Sequence, residues 1–248
     1  MNIIEVKNLS KSFPEGFWQK KRKVLHDISF AVSEKKATGF IGLNGSGKTT
    51  TLKCLLNFVL PEAGQISFFG KSGLSNEAKG QIGYLPERPY YHEFLSLKEF
   101  LKFHWDLSGG GQGFEQKSAT VIKSVGLTEA TDRKLKSFSK GMLQRSGLAQ
   151  ALIRDPHLLI LDEPMSGLDP DGRLMMKELL LEQKNKGTAI FLSSHLLNDL
   201  EELCDDVVVI DQGKVLYFGS LPEWKSKYAL NSKQNMEEIF REFRKAQK

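Results

Sequence analysis

Hydrophobic positions along this chain come in short runs, and the period of those runs changes along its length. Residues 3–9 and 25–32 alternate in part between apolar and polar, the period-two signature of half-buried strands. Between them, residues 14–23 read as a basic and aromatic loop. Ala37–Ile41 is a short apolar strand that runs into glycine-rich sequence, and a helix is expected from 47 to about 57. Residues 65–69 read as another strand, bounded by Gly64 and Gly70. From about 86 to 156 the period turns helical, with Leu97–Leu107 and 119–125 as helices around a glycine-rich loop at 108–113. Beyond it, 157–162 and 188–193 are apolar strands with 172–184 helical between them. Residues 206–210 and 214–218 form a hairpin around Asp211-Gln212-Gly213. Helices at 223–227 and Met236–Ala246 follow, and the second gathers Met236, Ile239, Phe240 and Phe243 on one face. The pattern is that of an α/β chain with a helical insertion in its middle.

Composition narrows this picture. The 248 residues are 40% hydrophobic and 26% charged, enough for a substantial core. No run approaches the ~20 apolar residues of a membrane-spanning helix, and no basic-then-apolar secretory leader is expected at the start. Cys54 and Cys204 lie far apart and read as reduced core thiols. The net charge of +5 gathers at 20–23 and at Arg241, Arg244, Lys245 and Lys248. Nucleic acid is not expected as a partner, because aromatics do not interleave with these charges; solvated surfaces are expected instead.

Two segments carry chemistry. Gly42-Leu43-Asn44-Gly45-Ser46-Gly47-Lys48-Thr49 satisfies G-x-x-x-x-G-K-[ST], between a strand and a helix. Glycines let backbone N–H groups turn inward around phosphate oxygens. Lys48 reaches the β- and γ-phosphates, the Thr49 hydroxyl suits Mg²⁺, and the following helix adds its positive end. The second segment, Leu158-Leu159-Ile160-Leu161-Asp162-Glu163-Pro164, is a buried strand ending in two acids. Ligands of open parallel sheets lie beyond such strand ends. Asp162 is placed to hold Mg²⁺, and Glu163 to orient and deprotonate an attacking water.

With these in place, the chain resembles the ATP-binding subunits of ABC transporters from Leu9 to Phe218. Phe138-Ser139-Lys140-Gly141-Met142 resembles the family signature LSGGQ, with three of its five letters changed. By itself Ser139 reads as a helix cap. The resemblance implies that its hydroxyl and the Gly141 N–H meet a γ-phosphate on the opposite subunit. Ser166-Gly167-Leu168-Asp169 matches the D-loop, and His195 the switch histidine. Ile82-Gly83-Tyr84-Leu85-Pro86-Glu87 matches the Q-loop region, with Glu87 where glutamine is usual; Glu87 is either a Mg²⁺ or water contact or a solvated loop acid. Phe13 matches the aromatic that stacks on adenine, with Phe17 and Trp18 as alternatives, and Thr50 joins the phosphate contacts. No guanine-reading Asn-Lys-x-Asp segment is present.

The resemblance implies a P-loop NTPase core with a mixed sheet, an N-terminal antiparallel β part and an α-helical insertion subdomain. It implies one ATP-binding domain over 1–248: a core at 1–86 and 157–220, a helical subdomain at 87–156 with the signature, and C-terminal helices at 221–248. It also implies Mg²⁺-dependent ATP hydrolysis in a head-to-tail homo- or heterodimer. Lys48, Glu163 and His195 would carry the reaction, and separate transmembrane permease subunits would hold the chain at the cytoplasmic face of the membrane. Those subunits would dock near residues 87–94; the alternative is that these aromatics pack within the insertion. The style of the signature implies export. The rival is an ABC-type ATPase working on a non-transport partner, such as an iron–sulfur assembly scaffold.

Overall fold

The computed structural model describes residues 1–15, 20–195, 197–229 and 234–246. In chain order the elements are β1 (Asn2–Glu15), β2 (Lys20–Ser33), β3 (Ala37–Ile41), α1 (Lys48–Leu55), β4 (Ala63–Phe68), β5 (Lys71–Ser72), α2 (Asn76–Gly80) and β6 (Ile82–Leu85). Then come α3 (Leu97–Leu107), α4 (Phe114–Ser124), α5 (Lys140–Leu152), β7 (Leu158–Asp162), α6 (Pro170–Asn185) and β8 (Ala189–Ser194). The remainder is α7 (Leu197–Glu201), β9 (Asp206–Asp211), β10 (Lys214–Ser220), α8 (Leu221–Tyr228) and α9 (Met236–Ala246). The chain divides into two compact units, Met1–Ser75 with Ala189–Lys248, and Asn76–Thr188.

The first unit holds an antiparallel sheet ordered β2-β1-β4-β5. It also holds β3 in parallel between β8 and β9, with β10 antiparallel on β9, a mixed arrangement. Every residue of β3 and β8 is buried, which explains why their sequences run apolar instead of alternating. The two layers meet at Phe30, Phe40 and Phe191, whose rings stack pairwise with centroids 5.3 to 5.6 Å apart. Such pairs add about 0.5–1.5 kcal/mol each beyond their burial.

The second unit pairs β6 in parallel with β7, from Ile82 opposite Leu158 to Leu85 opposite Leu161. Helices α3, α4 and α5 pack on one another there, and α5 lies on β6. Gly83 makes that contact possible, because a Cβ there would collide with the Ala151 carbonyl.

Some sequence expectations need correction. The first hairpin is much longer than residues 3–9 and 25–32: the ladder runs on through Phe13 opposite Arg22 to Glu15 opposite Lys20. Most of the expected loop at 14–23 is therefore strand, while Phe17 and Trp18 lie outside the described residues. Charge hid this extension. Arg22 pairs with Glu15 at 3.6 Å and Lys21 with Glu62 at 3.4 Å, on surfaces that solvent reaches, so no apolar alternation marks it. The helix expected at 119–125 begins earlier, at Phe114, after a left-handed Gly113. Both cysteines are buried, as expected of core thiols. Among the described residues, no helix is long and apolar enough to cross a membrane.

Candidate functional site

In the first unit, β3 ends at Ile41 and the glycine loop follows at once. Gly42 has no room for a side chain: a Cβ there would stand 2.5 Å from the Ile210 carbonyl oxygen and against Ser46 Oγ. Gly47 has φ of 112°, and a Cβ on it would meet Leu25 Cδ2 at 2.8 Å. Gly45, at φ 80°, faces open space. The Ser46 N–H donates to the Leu43 carbonyl at 3.1 Å, and the Gly213 N–H donates to the Ser46 carbonyl at 2.8 Å. These contacts fix the loop from below and from one side.

Lys48 Nζ lies over the loop, donating to the Gly42 carbonyl at 2.6 Å and reaching the Leu43 carbonyl at 3.4 Å. Helix α1 begins with Gly47 at its N-cap and has no side-chain cap. Its first N–H groups therefore suit an anion. Ser46 Oγ is buried with no hydrogen-bond partner. An ammonium, an uncapped helix start and an orphaned hydroxyl around one loop fit a polyphosphate. The Thr49 side chain is exposed at the helix start, and Thr50 is half-buried beside it. Leu43, Asn44 and Gly45 form the exposed outer edge of the loop.

His195, just after β8, is exposed and lines a cavity of about 450 Å³ with Gly42 and Leu43. The structure thus brings the switch-histidine position and the start of the loop to one cavity. Leu197 of α7 and helix α9, through Phe240, Arg241 and Arg244 among others, supply the rest of its wall. Phe13 lies on the exposed end of β1, with the Lys11 ammonium 5.3 Å from its ring centre.

In the second unit, β7 carries Asp162 and Glu163 into burial, at 3% and 7% exposure. Two acids so deep at a strand end are not a solvated pair. Glu163 takes a positive φ of 51°, uncommon for a residue with a side chain and seen often where function holds the backbone. The phenol of Tyr84, on β6, is pushed up to about 12, first by burial and then by the charge of Asp162. After Glu163 the chain turns tightly: the Ser166 N–H donates to the Glu163 carbonyl at 3.0 Å, and Gln144 Nε2 donates to the Pro164 carbonyl at 3.1 Å. Asp169 caps α6 by accepting from the Gly172 N–H at 2.9 Å.

Ser139 is the N-cap of α5 and accepts from the Met142 N–H at 3.3 Å. Gly141 is different from the loop glycines. A Cβ on it would find Leu168 Cδ2 at 3.8 Å, an ordinary contact, so no contact among the described residues requires glycine there. Gly167, with φ of 68°, is crossed by the Lys140 side chain. Glu87 is exposed, with Arg88 Nε 3.9 Å away. Among the described residues no three His, Cys, Asp or Glu side chains converge. The Thr49 hydroxyl and the Asp162 carboxylate are, each by itself, oxygen donors of the kind that suits Mg²⁺.

The aromatics near 87–94 divide. Tyr91 is half-buried and donates to the Leu143 carbonyl at 2.5 Å, and burial pushes its phenol up. Tyr90 and Phe94 are 82% and 69% exposed. Sequence reasoning missed the strained Glu163 backbone, which has no sequence mark. It also read the α9 cations as solvated, although Arg244 follows Phe240 by four residues and so flanks the apolar face.

Comparison with known proteins gives four matches. Residues 25–166 match the family model described as ABC transporter. An uncharacterized ABC transporter ATP-binding protein of Synechocystis sp. is 41% identical over 226 residues; the match takes in 90% of this chain and 64% of that protein, so the chain spans under two thirds of its length. The bacitracin transport ATP-binding protein of Bacillus licheniformis is 37% identical, over 86% of this chain and 68% of that one. A solved ATP-binding subunit of an ABC transporter superposes with a TM-score of 0.85 at 32% identity, covering 98% of this chain and 99% of its own.

Proposed function

We propose, because this chain belongs to the ABC transporter family, that it is an ATP-hydrolysing subunit that drives transport through separate membrane subunits. The observation that carries the reading is the loop 42–49, with Lys48 Nζ folded over it and an uncapped helix behind it. Gly42, Leu43, Asn44, Gly45, Ser46 and Gly47 would wrap the phosphates with N–H groups, and Lys48, Thr49 and Thr50 would complete the cradle. Phe13 would stack on adenine. Thr49 and Asp162 would hold Mg²⁺, with Glu87 as a further contact; the ion neutralises charge on the phosphate oxygens. Glu163 would orient water and take its proton, and His195 would contact the terminal phosphate. The work of these residues is positioning and charge stabilisation.

Ser139 and Gly141 would serve a second copy or a related subunit. The freedom at Gly141 supports this, since no neighbour among the described residues explains the glycine. The exposed Tyr90 and Phe94 support a docking face for a permease, at the cytoplasmic side of the membrane. Export is the proposed direction, supported by the signature and by the bacitracin transport relative. An iron–sulfur scaffold partner draws no support from the relatives' names.

The test is a detergent pull-down of tagged Glu163→Gln chain with ATP, from the native source, read by mass spectrometry. The proposal expects a polytopic membrane protein in near-equal amount. Recovery of ribosomal, DNA-bound or iron–sulfur proteins instead would keep the ATPase and overturn transport.

A further inference from the structure

We infer that Arg244, on α9, is a positioning residue for the phosphate loop, acting through Asp211 and the β9–β10 turn; this rests on reading the loop as the nucleotide site. Arg244 Nη2 donates to Asp211 Oδ2 at 3.1 Å, with the two side chains 24% and 18% exposed. Asp211 is the last residue of β9, and the turn that follows is locked. Gln212 and Gly213 have φ of 46° and 73°, the pair of positive values a tight hairpin turn needs. The Gly213 carbonyl accepts from the His26 N–H at 2.8 Å, and a Cβ on Gly213 would collide with the Val24 carbonyl. On its other side the same residue donates to the Ser46 carbonyl of the loop at 2.8 Å.

The residue before Asp211 bears on the loop directly. Ile210 presents its carbonyl where a Gly42 side chain would begin, and its Cδ1 is 3.3 Å from where a Gly47 Cβ would stand. Ile210, near the end of β9, therefore stands against both glycines, and Gly213 in the turn holds the Ser46 carbonyl, all within the four residues 210–213. A displacement of Asp211 is transmitted to the loop with little slack, because this interior is close-packed.

Stability alone is a poor reason for the pair. Arg244 Nε is buried with no hydrogen-bond partner, so the guanidinium is only partly satisfied. Part-buried ion pairs of that kind seldom improve stability over apolar packing, whereas they do fix geometry. The helix that presents the arginine is itself anchored: Phe243 packs edge-on against Trp224 and Tyr228, and Phe240 lies beneath the guanidinium at 5.9 Å. Loop N–H groups bind phosphate only when aimed at it, so a small tilt of the loop weakens nucleotide binding without unfolding the chain.

The experiment titrates the purified full chain with a fluorescent ATP analogue and Mg²⁺, and records thermal unfolding of the same samples. Arg244→Met keeps the stem over Phe240 and removes the donor. It should weaken binding about tenfold, the size of a charge-assisted hydrogen bond. Asp211→Ala should do the same, the double variant no more than either alone, and Arg244→Lys should recover part of the loss. Unchanged affinity in Arg244→Met, whatever its melting temperature, would overturn the inference and leave α9 a structural strap. Additive losses in the double variant would overturn it too. Lys48→Ala separates the two levels: if it binds as wild type does, the nucleotide reading of the loop fails whatever the arginine variants show.

Discussion

At the scale of single residues, the loop depends on where a side chain is impossible. Gly42 and Gly45 share a motif and differ in surroundings. A Cβ at position 42 meets the Ile210 carbonyl at 2.5 Å, and one at position 45 meets nothing within 4 Å. Gly42→Ala must push β9 or the loop aside, at about 1–3 kcal/mol for overpacking, and should weaken nucleotide binding severely. Gly45→Ala suffers only its positive φ, roughly 1 kcal/mol, and should bind with a far smaller loss. Parallel thermal unfolding and nucleotide titration check the contrast; equal effects would mean that the packing beneath Gly42 is not what forms the loop. Glu163 shows the opposite economy. It keeps a side chain at φ 51° in a buried position, a conformation retained only where surrounding contacts enforce it.

At the scale of elements, α3 shows how local chemistry sets a boundary and a pH response. Ser96 and Glu99 form a reciprocal capping box: the Ser96 N–H donates to Glu99 Oε2 at 2.6 Å, and Ser96 Oγ accepts from the Glu99 N–H at 3.2 Å. That backbone hydrogen bond, with Lys134 Nζ at 2.9 Å, holds the Glu99 carboxyl down at about 2, against an ordinary 4.5. A depressed carboxylate stabilises the fold above its unfolded value, and this contribution is lost as pH falls from about 4.5 towards 2. Glu99→Gln should flatten that part of the acid limb in urea unfolding by lowering stability in the neutral range, and leave stability near pH about 2 little changed. An acid limb identical to wild type would show that Glu99 is not linked to folding.

The capping box also explains why α3 was legible from sequence to the residue, from Leu97 to Leu107. A cap, an amphipathic stripe and a glycine stop all agree there. The apolar faces of α9 and of β3 were legible for the same reason. The first hairpin was not, because its outer half is held by ladder bonds and crossed charges, which leave no hydrophobic period. β6 was not among the expected strands: it is only four residues long and contains Gly83, and only the approach of α5 gives that glycine its purpose. At the site, the glycine loop and the Asp162-Glu163 strand end were legible because residue type and spacing carry the chemistry. The tie from Arg244 to Asp211 was not, since 33 residues separate the partners and neither belongs to a motif.

At the scale of the molecule, each unit holds part of the machinery that the proposed function needs. Met1–Ser75 with Ala189–Lys248 carries the phosphate loop and His195; Asn76–Thr188 carries Asp162, Glu163 and the signature helix. The proposed function has such a chain act in pairs: Ser139 caps α5 and no contact among the described residues requires glycine at Gly141, and a nucleotide on a second subunit would engage both. The central claim is that ATP itself brings two copies together. Light scattering of the purified Glu163→Gln chain, with and without Mg²⁺ and ATP, tests it most directly. The account predicts a mass that doubles only when ATP and Mg²⁺ are both present, and that reverts to one chain when Ser139→Ala or Lys48→Ala is added. A chain that binds ATP yet keeps the mass of a single copy at every protein concentration would contradict it.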